Sequence, residues 1–411
     1  MSHDSVEDDP NIEEYKALTK TLSAFYNFHE WEVSEIVKPK RIKLNSLRED
    51  ELKLIPWFPK YIDDLELCIG INRQFTQGLA LAVAKDWGVS NNPSEWYPSN
   101  TTDYDKVRSI LLQLSREWSD DGAEERKTCF DIILNEVTSM FPDEKARKNV
   151  KVLVPGCGLG RLVLEFVKLG FWCQGNEFSY HMLLVSNFIL NHSQIAHEHS
   201  MFPYLHKVSH VAKRSNQMRP VTVPNETPLC IYDLQKSNPD INYEELMSMT
   251  AGSFVDLYGP PGISFSDTYS NDATASQFRE SNASTFDILT TCFFLDTATN
   301  IIDYIRTIHY CLRDGGTWIN FGPLLWHFED DASLHYVTKE LKDGSFEKVP
   351  SVLKGLELTR DDLIDLIKSV GFEFVKHQSE VESKYSVDPR SLGYFTFKSE
   401  FWVCKKISKS S

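Results

Sequence analysis

Residues 150–161 read Val-Lys-Val-Leu-Val-Pro-Gly-Cys-Gly-Leu-Gly-Arg, and this stretch decides the architecture of the chain. Val150–Val154 is a short β-branched run, as a strand requires. The glycine-rich segment Pro155–Gly160 ends it, and an amphipathic helix follows over Arg161–Leu169 with Gly170 as its C-terminal cap. Phe171–Gly175 supplies a second strand that closes at Asn176-Glu177. The unit is strand, glycine loop, helix, strand. A helix start behind a tight glycine turn exposes backbone N–H groups, and glycine lets a ligand approach closely. Glu177 follows Gly156 by 21 residues, at the end of the second strand. A carboxylate there can accept both hydroxyl hydrogens of an adenosine ribose. Glycines 156, 158 and 160 are spaced G-x-G-x-G, so the third comes too early for the G-x-G-x-x-G of dinucleotide binders.

Working outward, the chain divides unevenly. Residues 1–12 form an acidic tail expected to be disordered, and 13–145 a helical region. In Asp103–Trp118, apolar Val107, Ile110, Leu111, Leu114 and Trp118 recur at helical spacing; a further helix over Glu124–Met140 stops before Pro142. From 146 to 411 strands and helices alternate. An insertion is expected at 193–243, a short strand at Glu244–Thr250, and a mobile Ser/Gly/Pro/Asn-rich loop at 259–285. The spacing then predicts a strand at Phe286–Thr291, a helix at Ala298–Leu312, a turn at Asp314-Gly315-Gly316 and a strand at Thr317–Phe321. A helix at Thr359–Val370 has Thr359 as N-cap with Asp362 completing the box. Phe372–Lys376 and Glu400–Lys405 close the chain as strands. Such alternation implies an α/β fold with a mostly parallel, Rossmann-like sheet, its final pair antiparallel.

Composition limits the partners. Among 411 residues, 43 Lys and Arg face 59 Asp and Glu, a formal net charge of −16. Neutralising a polyanion needs clustered cations, so nucleic acid is not expected as a ligand, and a small or cationic substrate fits better. No apolar run approaches the roughly 20 residues of a membrane span. The eight cysteines form no CxxC pair and no Cys/His set with zinc spacing, so no metal is expected. The acidic N-terminus lacks a signal-peptide core, and the chain reads as cytoplasmic, with the nucleus a second location.

Leu312-Arg313-Asp314-Gly315-Gly316-Thr317 resembles the L-[KR]-x-GG-x turn of class I methyltransferases, and separates this nucleotide site from that of a dehydrogenase. With PGCGLGRL, CQGNEFSYHML, TCFFLDTATNIIDYI and GPLLWHFE in order, the sequence closely resembles carnosine N-methyltransferases from about Asp103 through Lys405. The resemblance implies a seven-stranded sheet with helical additions, S-adenosylmethionine as cofactor, and a small histidine-containing dipeptide as substrate. A homodimer is compatible with it. It also implies that Gln113 and Arg116 hold the methionine carboxylate, that Gly156 lies against the methionine moiety, and that Glu177 holds the ribose. Phe254 would pack near adenine, with Cys292 walling the pocket. The family carries an acid before that Phe where this chain has Ser253, which still offers a neutral hydrogen bond. Tyr385 matches one of the family's substrate-lining tyrosines. The later cluster Tyr394-Phe395-Thr396-Phe397 puts a phenyl ring, Phe397, where a phenol is expected.

Methyl transfer to imidazole needs a neutral ring, one chosen tautomer and an in-line approach. Asp296, just beyond the Cys292 strand, can accept the ring N–H and leave the other nitrogen as nucleophile. His327, beyond the Thr317–Phe321 strand, stands at the same sheet edge and can hydrogen-bond the ring or relay its proton. Two other readings stay open on the residues: a histidine within a longer peptide or protein as acceptor, and a nucleotide-binding module without turnover.

Overall fold

The computed structural model describes residues 10–263, 273–331, 336–341, 345–350 and 355–408. Strand β1 (Lys151–Pro155) pairs in parallel with β2 (Trp172–Glu177), and β2 with β3 (Met247–Ala251). On its other flank β1 meets β4 (Phe286–Cys292), which lies parallel to β5 (Leu312–Gly322). β6 (Phe372–Ser383) forms the edge, and β7 (Phe397–Lys406) runs antiparallel between it and β5. The order is β3-β2-β1-β4-β5-β7-β6. The strand order reverses at β1, so the crevice beyond the carboxyl ends of β1, β2 and β4 is where a ligand belongs.

Both faces of this sheet are buried. Val152, Val154, Ile288, Ile319, Phe321 and Val403 share one core, while Leu153, Leu289, Trp318 and Trp402 point to the other. That period-2 division of apolar side chains is what covering a sheet with helices on two sides demands.

The N-terminal part is a helical cap built on α1 (Pro10–Glu32), α2 (Phe58–Asp86) and α3 (Thr101–Trp118). Its core continues into Leu164 of α4 (Arg161–Lys168) and Leu184, Val185, Phe188 and Ile189 of α5 (Tyr180–His192), so cap and sheet share buried side chains. Among described residues, no helix is long and apolar enough to cross a membrane.

Several expectations need correction. Helix α1 begins at Pro10, inside the expected tail. The expected helix over Glu124–Met140 contains a π turn at Lys127–Asp131. The third strand starts at Met247, because Tyr243–Leu246 winds as a 3-10 turn that buries Tyr243 and Leu246 together. The helix expected from Ala298 starts at Ile301, where the Asn300 side chain accepts the Ile302 N–H at 3.0 Å. The Gly315-Gly316 turn is absorbed into β5: its partners on β4 jump from Phe286↔Leu312 to Ile288↔Thr317, with Gly315 at φ +71°. Both final strands are longer than their apolar runs, with β6 carrying two irregularities along its exposed edge. Where a loop is expected, Ala273–Asn282 forms a helix whose buried Arg279 donates to the Asp256 carbonyl at 2.7 Å; residues 264–272 of that expectation lie outside the described residues.

Within the segment 193–243, residues 199–223 pack with the cap, whereas Ile231, Leu234, Ile241 and Tyr243 pack into the sheet core. His199–Met201 and Val221–Val223 pair antiparallel; Phe202 exchanges hydrogen bonds with the Asn72 side chain at 2.7 and 3.2 Å, and Gln217 accepts from the Tyr61 hydroxyl at 2.7 Å.

Candidate active site

The glycine loop turns where only glycine turns comfortably. Gly156, Gly158 and Gly160 have φ of +62°, +56° and +80°. A Cβ on Gly156 would stand 2.2 Å from Cδ2 of Phe294. The loop is pinned by the Cys157 N–H on the Asn176 carbonyl at 3.0 Å, and the Leu159 carbonyl accepts the Trp118 indole N–H at 3.1 Å. Glu177 is held as firmly. Its Oε2 accepts the Gly158 N–H at 3.0 Å, and its Oε1 those of Phe178 and Ser179 at 2.8 Å each. Burial raises its pKa, and these three N–H groups oppose that rise. A carboxylate so oriented retains lone pairs for a diol.

The last turn of α3 overhangs this loop. Arg126 caps it, donating to the carbonyls of Arg116 at 2.6 Å and Ser119 at 2.8 Å. Arg116 is buried: its Nε lies 2.8 Å from Glu125, its Nη1 3.3 Å from Glu117, and its Nη2 donates to the Cys129 sulfur at 3.4 Å. The rings of Tyr385, Phe293 and Phe130 pack around it at 4.6, 5.4 and 5.6 Å. Burial alone would lower its pKa, but Cys129, Tyr385 and Glu117 hold it above the ordinary arginine range. The Gln113 side-chain oxygen on the same face is buried with no hydrogen-bond partner among the described residues.

At the end of β4, Cys292 is followed by Phe293 at φ +52°. That left-handed residue sends two adjacent rings apart. Phe293 packs on Tyr385 at 4.9 Å and Phe397 at 6.4 Å, whereas Phe294 stacks on Tyr304 at 4.9 Å and meets Phe254 edge-on at 5.7 Å. Strain of this kind in a bulky side chain is characteristic of functional sites. The Cys292 thiol is held protonated by its hydrogen bond with Cys129 and by burial. Ser253 caps a short helix, its hydroxyl accepting the Asp256 N–H at 3.4 Å.

Asp296 lies in the turn Leu295–Thr297, only 4% exposed, and burial raises its pKa to about 7. Its carbonyl accepts the His327 N–H at 3.0 Å, joining the loop after β5 to the turn after β4. The His327 ring lies at the cavity rim, where partial burial lowers its pKa.

All eleven residues singled out in the sequence line one cavity of about 1610 Å³: Gln113, Arg116, Gly156, Glu177, Ser253, Phe254, Cys292, Asp296, His327, Tyr385 and Phe397. Three further residues were missed. Phe178, 70% exposed beside Glu177, also lines the cavity; an apolar residue directly after that carboxylate was the available signal. Glu117 lines the cavity next to Arg116. Glu125 is not on the lining; it accepts the N–H groups of Ser386 at 2.6 Å and Val387 at 3.4 Å, fastening the Tyr385 segment to Arg116. No local sequence pattern marks an acid for a contact across 261 residues.

A loop whose glycines a Cβ would obstruct, a fixed carboxylate 21 residues on, and an unpaired amide oxygen beside a buried guanidinium fit an adenosyl ligand with an amino-acid tail. Together with the strand order, they define an S-adenosylmethionine-dependent methyltransferase. The chain belongs to the carnosine N-methyltransferase family, whose pattern it matches over residues 93–408. It is 33% identical over 399 residues to the carnosine N-methyltransferase of Schizosaccharomyces pombe, covering 96% of each chain. Against that of Mus musculus it is 32% identical over 408 residues, covering 98% of this chain and 88% of the other. Among solved structures it is similar to the PH0226 protein of Pyrococcus horikoshii OT3 (TM-score 0.35, 12% identity, 72% of this chain and 98% of that one). A putative S-adenosylmethionine-dependent methyltransferase from Listeria monocytogenes gives a TM-score of 0.33 at 10% identity, over 67% of this chain and 97% of that one.

Proposed function

We propose that the enzyme methylates an imidazole nitrogen of a small histidine-containing dipeptide, converting carnosine to anserine. The observation that carries this reading is Asp296: a buried carboxylate, its pKa raised to about 7, in the cavity that Phe293, Tyr385 and Phe397 line with rings. A neutral imidazole offers one N–H and one lone pair. Asp296 accepts the N–H, which fixes the tautomer and turns the other nitrogen toward the donor. The rings of Tyr385 and Phe397 receive the flat heterocycle, and His327 at the rim hydrogen-bonds the ring or takes its proton. Bound S-adenosylmethionine supplies a methyl carbon on a sulfonium, and no thiol or metal is required.

The remaining assignments concern the donor. Gln113 and Arg116 hold its carboxylate, the guanidinium through paired hydrogen bonds. Gly156 admits the methionine chain, Glu177 binds the ribose diol, and Cys292 forms a wall. Phe254 packs near adenine, and Ser253, with one lone pair taken by Asp256, keeps the other for an adenine amine.

The test is direct. Purified enzyme, methyl-labelled donor and carnosine should yield a dipeptide labelled on a ring nitrogen, identified by mass spectrometry and NMR. Label appearing only in macromolecules of a cell lysate, with none in the dipeptide, would overturn the assignment.

A further inference from the structure

The donor ends in an α-amino acid, so its ammonium and carboxylate charges sit on the same carbon. A cavity that takes the carboxylate on Arg116 must also satisfy the ammonium, because a buried charge without partners is costly. Strand β1 offers no charged side chain for it, since Val152-Leu153-Val154-Pro155 runs apolar into the glycine loop. Glu177, at the end of β2, accepts three backbone N–H groups and is assigned to the ribose diol. Glu125, also paired with Arg116, does not line the cavity and accepts the Ser386 and Val387 N–H groups.

Of the two acids paired with Arg116, Glu117 is the one that lines the cavity. Its side chain is 7% exposed, and its Oε1 lies 3.3 Å from Arg116 and 3.2 Å from where a Cβ of Gly158 would stand. The backbone N–H groups of Arg161 and Leu159 also point at its carboxylate. Four residues earlier on the same helix face, the buried Gln113 oxygen has no hydrogen-bond partner among the described residues. One turn of α3 therefore carries donors on Arg116 flanked by acceptors on Gln113 and Glu117.

We infer that Glu117, assisted by the Gln113 oxygen, recognises the α-ammonium of the methyl donor, so that the last turn of α3 reads the whole zwitterion. This rests on the donor and on none of the acceptor assignments.

The test is a ligand-by-mutant cycle in equilibrium binding, with no turnover. S-adenosylhomocysteine and its desamino analogue, in which hydrogen replaces the α-amino group, are titrated into the wild-type protein and Glu117→Gln. A lost charge-assisted contact is worth about 10–100-fold in affinity. The wild type should prefer the amino ligand by about that factor. Glu117→Gln should lose most of the preference while binding the desamino ligand within about 3-fold of wild type. Gln keeps an oxygen for the Leu159 and Arg161 N–H groups. Should it nonetheless lower the melting temperature, Glu117→Asp retains the charge and is expected to retain part of the preference. Equal wild-type affinity for the two ligands overturns the inference, as does a preference that persists undiminished in Glu117→Gln.

Discussion

Replacing Asp296 by Asn removes a buried charge, and the protein should become more stable and less active in one step. Burial raises this carboxyl from 3.8 to about 7. The sign follows from linkage. Below 3.8 the group is protonated in both folded and unfolded chains and costs nothing. Between 3.8 and 7 the unfolded chain ionises while the folded one resists, and above 7 the penalty is complete. At 1.36 kcal/mol per pH interval the ceiling is about 4 kcal/mol. With an unfolding entropy of about 2.1 cal/mol/K per residue, a chain of 411 residues gives roughly 0.9 kcal/mol/K, so that ceiling corresponds to about 4–5 °C in Tm. Melting curves of wild type and Asp296→Asn should therefore separate by that amount at pH 8 and by about half as much at pH 5.5. In the proposed reaction the same residue accepts the imidazole N–H in its ionised form, so wild-type kcat/KM should rise with pH through about 7. Asp296→Asn should lose about 100-fold in kcat/KM while binding S-adenosylhomocysteine almost as wild type does. A stability gap that is absent, or identical at the two pH values, refutes the buried-charge argument. An equal loss of turnover and cofactor affinity refutes the catalytic one.

Two other perturbations test the frame around that carboxylate. Gly156→Ala combines a left-handed backbone with a Cβ 2.2 Å from the Phe294 ring, and should cost about 1–3 kcal/mol in stability and at least 10-fold in S-adenosylhomocysteine affinity; a calorimetric titration matching wild type would remove the loop from the donor site. Glu125→Ala strands the Ser386 and Val387 N–H groups and deprives Arg116 of an ion-pair partner, so KM for the imidazole substrate should rise about 10-fold or more in steady-state assays; an unchanged KM would show that the Tyr385 segment holds its place without that strap.

What could be read in advance follows the range of the forces involved. The glycine loop and Glu177 were legible because both belong to one strand–turn–helix–strand unit in which neighbours in sequence are neighbours in space. The sheet edge was legible for the same reason: strand ends converge there whatever else the chain does, which is why Asp296 and His327 come to one cavity. Boundaries failed where a side chain overrode a pattern. Asn300 starts a helix later than the apolar spacing suggests, and the Gly315 turn continues a strand that composition would break. A loop was expected over Ala273–Asn282 because Ser and Asn signal one by type, while the helix there is held by Arg279 reaching the Asp256 carbonyl. Gln113 and Arg116 came only with the family resemblance, since helical spacing alone gives a polar face no reason to be buried.

That last point has a structural consequence. In the proposed donor site the sheet supplies the glycine loop and Glu177, and the cap supplies Arg116. Binding therefore requires the cap to sit on the sheet within hydrogen-bond tolerance. Arg161, the first residue of α4, is placed to secure this. Its guanidinium donates to the Glu117 carbonyl at 3.3 Å and to the Asn225 side chain at 2.8 Å, pairs with Glu165 at 2.7 Å and Glu226 at 3.2 Å, and lies 5.0 Å from the Trp118 ring. The Asn225 N–H in turn caps the Trp118 carbonyl at 2.7 Å. One buried cation thus joins the glycine loop, the end of α3 and the 193–243 segment. Through Asn225, the segment that reads as an insertion adds a fastening to the end of α3, the turn that carries Arg116.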